Sequence, residues 1–130
     1  MGEKAPGTVV LDAGALIAFE RADPRMRALL REALRRGTRL VIPAGVVGQV
    51  WRDGARQVSL RALLGGPTTE VPPLDRILAE AAGILCGRSR TADIIDASVV
   101  LIARARRAVV ISDDVEDLRH LDPALPVHRL

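Results

Sequence analysis

The chain has 130 residues, 48% of them hydrophobic, and a formal net charge of +3. That length suits one domain with a real core, and the apolar fraction excludes general disorder. Cys86 is the only cysteine, which excludes an intrachain disulfide or a cysteine metal cluster. Every basic residue except Lys4 is arginine, whose planar fork suits phosphate and carboxylate partners.

Met1 to Pro6 lacks the apolar stretch of a signal peptide. Pro6 stands where a myristoylation signal wants Ser or Thr. Residues 1–7 are expected to form a flexible N-terminal segment ahead of a single domain spanning 1–130. No uninterrupted apolar run is long enough to cross a bilayer, so a soluble, cytoplasmic protein is expected.

Thr8 to Leu11 reads as a buried strand ending on Asp12, with a short helix from Ala13 to about Arg21. Asp23-Pro24 then caps a helix that sets Met26, Leu29, Leu30, Ala33 and Leu34 on one face and arginines on the other. Gly37 ends it. Leu40 to Ile42 reads as a second strand, and Pro43 starts a helix through Val46, Val47, Val50 and Trp51. Ser59 is expected to cap a short helix carrying Leu60, Leu63 and Leu64. Thr68 to Val71 reads as a third strand cut off by Pro72-Pro73.

A helix is expected from about Leu74 to Cys86, with Cys86 as a core thiol, and a loop from Gly87 to Ala92. Asp93 opens an apolar helix to about Arg107. Ala108 to Ile111 reads as a fourth strand, Val115 to Leu121 as a short helix, and Pro126 to His128 as an edge strand. Alternation of this kind predicts an α/β fold: a three-layer α/β/α sandwich around a mostly parallel sheet of four or five strands.

The chemistry-bearing residues lie where strands give way to helices. Asp12 and Asp113 each follow an apolar β-branched run, and Asp93 and Asp96 share one face of an apolar helix. Residues so placed meet at the carboxyl edge of a parallel sheet, where open α/β folds build their sites. Aspartates gathered there repel unless a cation or shared protons offset the charge, and a hard divalent metal suits their oxygens.

Each aspartate has an ordinary explanation as well. Asp12, Asp93 and Asp113 are all suited to cap helices, and Asp113 to Glu116 has capping-box spacing. Asp96, inside an apolar helix, is not covered by capping. Asp114 and Asp117 read as solvated or helix-start residues. His120 and His128 have no paired ligand spacing, which argues against a zinc site. The chain also lacks the Gly-Lys-Ser/Thr of a P-loop and the clustered glycines of a dinucleotide-binding turn.

The segment Val9-Val10-Leu11-Asp12-Ala13-Gly14-Ala15-Leu16-Ile17-Ala18 resembles the opening of a PIN domain. Asp96-Ala97-Ser98-Val99-Val100-Leu101-Ile102-Ala103 resembles that family's acidic helix, and Val109-Val110-Ile111-Ser112-Asp113 its strand ending in Thr/Ser-Asp. At this length the resemblance is to VapC-like toxins of type II toxin–antitoxin pairs. It implies a Mg2+- or Mn2+-dependent endoribonuclease that leaves a 5′-phosphate and a 3′-hydroxyl. Asp12, Asp96 and Asp113 would be the catalytic, metal-binding aspartates, with Asp93 as an accessory acid.

The implied partners are RNA, tRNA among the possibilities, a cognate antitoxin and a second copy in a homodimer. Ser112, Gln49, Arg52, Arg88 and Arg90 are candidates for contact with substrate. With Phe19 and Trp51 as the only aromatics, RNA recognition would rest on phosphate and shape rather than stacking.

One position departs from the family pattern. A glutamate is usual in the helix after the second strand, where this chain carries Gln49, which keeps an oxygen acceptor but loses a full charge. Two readings follow: a metal-dependent ribonuclease restrained by an antitoxin, or a catalytically weak or inactive PIN fold that binds RNA or protein.

Overall fold

A computed structural model describes residues 7–130. The expected flexible segment at 1–7, with the readings of Lys4 and Pro6, lies outside the described residues except for Gly7. The Gly7 carbonyl accepts a hydrogen bond from the Arg39 N–H at 3.0 Å.

Among the described residues five strands form one sheet: β1 (Thr8–Leu11), β2 (Arg39–Val41), β3 (Thr69–Glu70), β4 (Val109–Ser112) and β5 (Val127–Arg129). Their order is β3-β2-β1-β4-β5, and every pairing is parallel. Among the described residues seven helices accompany these strands: α1 (Ala13–Glu20), α2 (Pro24–Arg35), α3 (Ala44–Val50), α4 (Val58–Leu64), α5 (Arg76–Ser89), α6 (Ile94–Arg106) and α7 (Val115–Leu121). Helix α1 packs on α2, α3 and α4, while α5, α6 and α7 pack on one another, which gives the expected helix–sheet–helix layering.

Burial on both faces is why the central strands lack a polar face. Val10, Leu11, Leu40, Val41 and Val110 are each fully buried. In register, Val10 sits beside Val41 on one side and Val110 on the other. The chain steps from β1 outward to β2 and β3, then returns to the other side of β1 for β4 and β5. That reversal opens a crevice at the carboxyl ends of β1 and β4, bringing Asp12 beside Ser112.

Several local expectations need correction. Ser59 is not a cap: α4 begins at Val58 with Gln57 before it, and Gln57 uses its side chain elsewhere. The stretch from Gly87 is not a loop, because α5 continues to Ser89 and closes on Arg90 in the left-handed conformation, its N–H bonded to the Cys86 carbonyl. Asp113 does not cap α7. Asp114 holds that position without a side-chain cap bond, and its own N–H donates to the Ser112 hydroxyl at 2.8 Å. The third strand is only Thr69–Glu70; beyond it Pro72 gives its carbonyl to the Ala44 N–H at 2.9 Å. Cys86 is buried as expected, its thiol donating to the Asp93 carbonyl.

Candidate acidic site

Asp12 does two jobs at once. It caps α1 by accepting from the Ala15 N–H through Oδ1 at 3.0 Å, and its Oδ2 accepts from the Ser112 hydroxyl. Both residues are buried. Burial raises the Asp12 pKa above the usual carboxylate value and the Asp113 charge adds to the rise, against the opposing pull of the Ser112 and Ala15 hydrogen bonds. Ser112 therefore orients Asp12 and, by accepting from Asp114 N–H, sets the direction of the chain into α7.

Asp93 caps α6, its Oδ1 accepting from the Asp96 N–H at 2.9 Å. Asp96 projects from the first turn and is half-buried. Its pKa is pushed up to about 7, first by burial and then by the charges of Asp93, Asp114, Asp12 and Asp117. The carboxylates of Asp96, Asp114 and Asp117 each offer an oxygen within 4.8 Å of the other two. Asp114 is itself raised, by burial first and then by its charge and hydrogen-bond coupling to Asp117.

Asp113 turns the other way, over the start of α1. A Cβ built on Gly14 would lie 2.0 Å from Asp113 Oδ1, so only glycine leaves room for that carboxylate. The cleft, about 400 Å³, is lined by Asp12, Ala13, Gly14, Ile17, Gln49, Arg52, Asp93, Asp96, Asp113 and Asp114. Asp12, Asp93, Asp96, Asp113, Gln49 and Arg52 from the sequence reading are thus brought to one place. Arg88 and Arg90 are exposed at the end of α5 and do not line the cleft. Asp114 and Asp117, expected as solvated or helix-start residues, do stand at the start of α7, Asp114 as its N-cap and Asp117 in its first turn, and also gather beside Asp96. Their signal is a spacing of three across the start of α7, from its N-cap to its first turn.

The donor set fits a hard divalent cation. Asp96, Asp114 and Asp117 supply only oxygens, and their mutual repulsion is the penalty a bound cation would relieve. Among the described residues, the side chains in ion pairs lie elsewhere, and none of these three aspartates is salt-bridged to a base.

This geometry defines an α/β fold with an acid-lined cleft at its strand-order reversal. Comparison with known structures then narrows the class. A chain in the crystal structure of VapBC2 from Rickettsia felis, bound to a DNA fragment from their promoter, superposes with a TM-score of 0.69 at 15% identity, covering 95% of this chain and 98% of that one. FitAcB from Neisseria gonorrhoeae gives 0.64 at 17% identity, with coverage of 93% and 96%. VapC20 of Mycobacterium tuberculosis, a sarcin–ricin loop cleaving toxin, gives 0.64 at 18% identity, covering 84% and 93%. No protein-family model matches the sequence, and no curated protein does. The chain has the fold of VapC-like PIN domains.

Proposed function

We propose that the protein is a Mg2+- or Mn2+-dependent endoribonuclease, the toxin component of a toxin–antitoxin pair. The observation that carries this reading is the convergence of Asp12, Asp93, Asp96, Asp113 and Asp114 on one cleft, with Asp117 beside Asp96 and Asp114 and a single arginine, Arg52, in the lining. Asp96, Asp114 and Asp117 would hold the cation, with Asp12 and Asp113 on the α1 side and Asp93 as an accessory acid. The cation, when bound, supplies Lewis acidity toward a phosphodiester. Asp12, kept in place by Ser112, faces the cleft as a general base for water, its raised pKa bringing it closer to the pH at which such a base works best. The likeness in fold to VapC20, a sarcin–ricin loop cleaving toxin, supports RNA as the substrate class.

A cognate antitoxin is supported by a second cavity, about 400 Å³, between α1, α2 and α4. Phe19, Leu30, Leu34 and Leu63 line it, and Arg27 Nε and Thr68 Oγ1 there are buried without hydrogen-bond partners. An apolar side chain followed by an acceptor would satisfy both features. A homodimer is supported by α5, whose Ile77 and Ile84 are 80% and 57% exposed. Among the described residues no helix is long and apolar enough to cross a membrane.

The second reading, a weak or inactive PIN fold that binds RNA or protein, is favoured by Gln49, which stands on the cleft where a carboxylate would add charge. Incubating the purified protein with a mixed RNA pool in magnesium, manganese or EDTA separates the two. Metal-dependent cutting with 5′-phosphate ends, lost in Asp96→Asn, is expected of the nuclease. Silence in wild type with activity in Gln49→Glu would favour the disabled site.

A further inference from the structure

The carboxamide of Gln57 is the hub of the loop that follows α3. Its Oε1 accepts from the Arg52 N–H at 2.8 Å and the Asp53 N–H at 3.0 Å. Its Nε2 donates to the Val50 carbonyl at 3.0 Å and to the Glu20 carboxylate, at 3.0 Å to Oε2 and 3.2 Å to Oε1. Both faces of the amide are therefore used, and they join the end of α3 to the end of α1. Only a neutral side chain that donates and accepts meets these demands: glutamate lacks the donor, while lysine and arginine lack the acceptor.

The residue held by this hub is the one arginine among the cleft-lining residues. Arg52 rests its guanidinium on carbonyls at the α3 C-terminus, donating through Nη1 to Trp51 O at 2.7 Å and Gly48 O at 3.2 Å. Among the described residues it makes no ion pair, although aspartates line the same cleft. The guanidinium is held by those two carbonyls, and the backbone N–H of the same residue by the Gln57 Oε1. The carbonyls take one edge of the guanidinium, and the other is left for an anion from solution.

We propose that Gln57 is a positioning residue that keeps Arg52 at the rim of the acidic cleft to bind a backbone phosphate of RNA. This rests on the ribonuclease reading. It assigns a role to a residue outside the cleft that touches no reacting atom, and it explains how a polyanion is admitted to a negatively charged site.

The test measures binding rather than cleavage. A fluorescein-labelled RNA stem–loop is titrated with protein by anisotropy, calcium replacing magnesium, over a series of salt concentrations. Arg52→Ala is expected to weaken binding about tenfold and to flatten the log K against log[salt] slope by about one contact's worth. Gln57→Leu is expected to do nearly the same, and the double variant to bind no more weakly than Arg52→Ala alone. Wild-type binding that Gln57→Leu leaves unchanged, or effects that multiply in the double variant, would overturn the proposal while leaving the nuclease reading intact. Absence of binding by wild type would defeat both.

Amide hydrogen exchange on the wild type gives a check that does not depend on how the variants fold. The Arg52 and Asp53 amides should be protected to a similar degree, because one oxygen accepts from both. Free exchange at these two positions would also overturn the proposal.

Discussion

Replacing Asp96 by asparagine removes the charge with the worst electrostatic position while keeping the shape. The Asp96 pKa rises from 3.8 to about 7 because the site is half-buried and faces four other carboxylates. Fully shielded, that rise would amount to about 4 kcal/mol. One side of the residue meets water, and screening there brings the expected cost to about 2 kcal/mol.

The sign follows from linkage. The folded value lies above the unfolded one, so the native state binds the proton more tightly. Stability from this group is complete below about pH 4, falls as pH rises toward about 7, and the full penalty applies above that. In EDTA at about pH 8, Asp96→Asn should therefore be the more stable protein, by roughly 5–10 °C in Tm. At about pH 4 the advantage should vanish. Circular dichroism melts of both proteins across this pH range read the difference. Added magnesium should raise the wild-type Tm and leave the variant nearly unmoved. A variant less stable than wild type at every pH, or a difference independent of pH, would refute the account of the cleft.

Other residues give separate tests. Gly14→Ala places a methyl where the Asp113 carboxylate lies; cleavage in magnesium should fall at least about tenfold while the melting temperature stays close to wild type, since a shift of about 1 Å in a positioned group can cost that much or more. Ser112→Ala removes the donor to Asp12 and leaves a buried carboxylate short of a partner, so urea unfolding should show a loss of about 1–3 kcal/mol. Without that bond the Asp12 pKa should climb further, moving the acidic limb of any activity profile to higher pH. Arg107 closes α6 at φ 50°, a conformation suited to glycine; Arg107→Gly should stabilise by about 0.5–1 kcal/mol in the same assay.

The parallel sheet and its layers were legible because β1 and β4 are short β-branched runs that end on an acid, and the shorter β2, β3 and β5 are bounded by prolines or glycines. The switch point could be read for the same reason, since Asp12 and Asp113 each follow such a run. What the sequence did not disclose was direction. Nothing local told Asp113 from Asp114, yet one turns over Gly14 and the other toward Asp96, because Ser112 is drawn to Asp12 and holds the Asp114 amide. Gln57 was invisible for a different reason: its bonds to residues 50–53 are local, but its partner Glu20 becomes a neighbour only once α1 and α3 pack together. Gln49 was legible as a departure, and the structure brings it to the cleft.

The central claim is that aspartates from α6 and α7 form one cation site. Anomalous scattering from manganese soaked into crystals of the wild-type protein tests it most directly. The account predicts a manganese peak bounded by Asp96, Asp114 and Asp117, lost in Asp96→Asn. A cleft that stays empty at millimolar manganese, or a peak that survives Asp96→Asn, would contradict it.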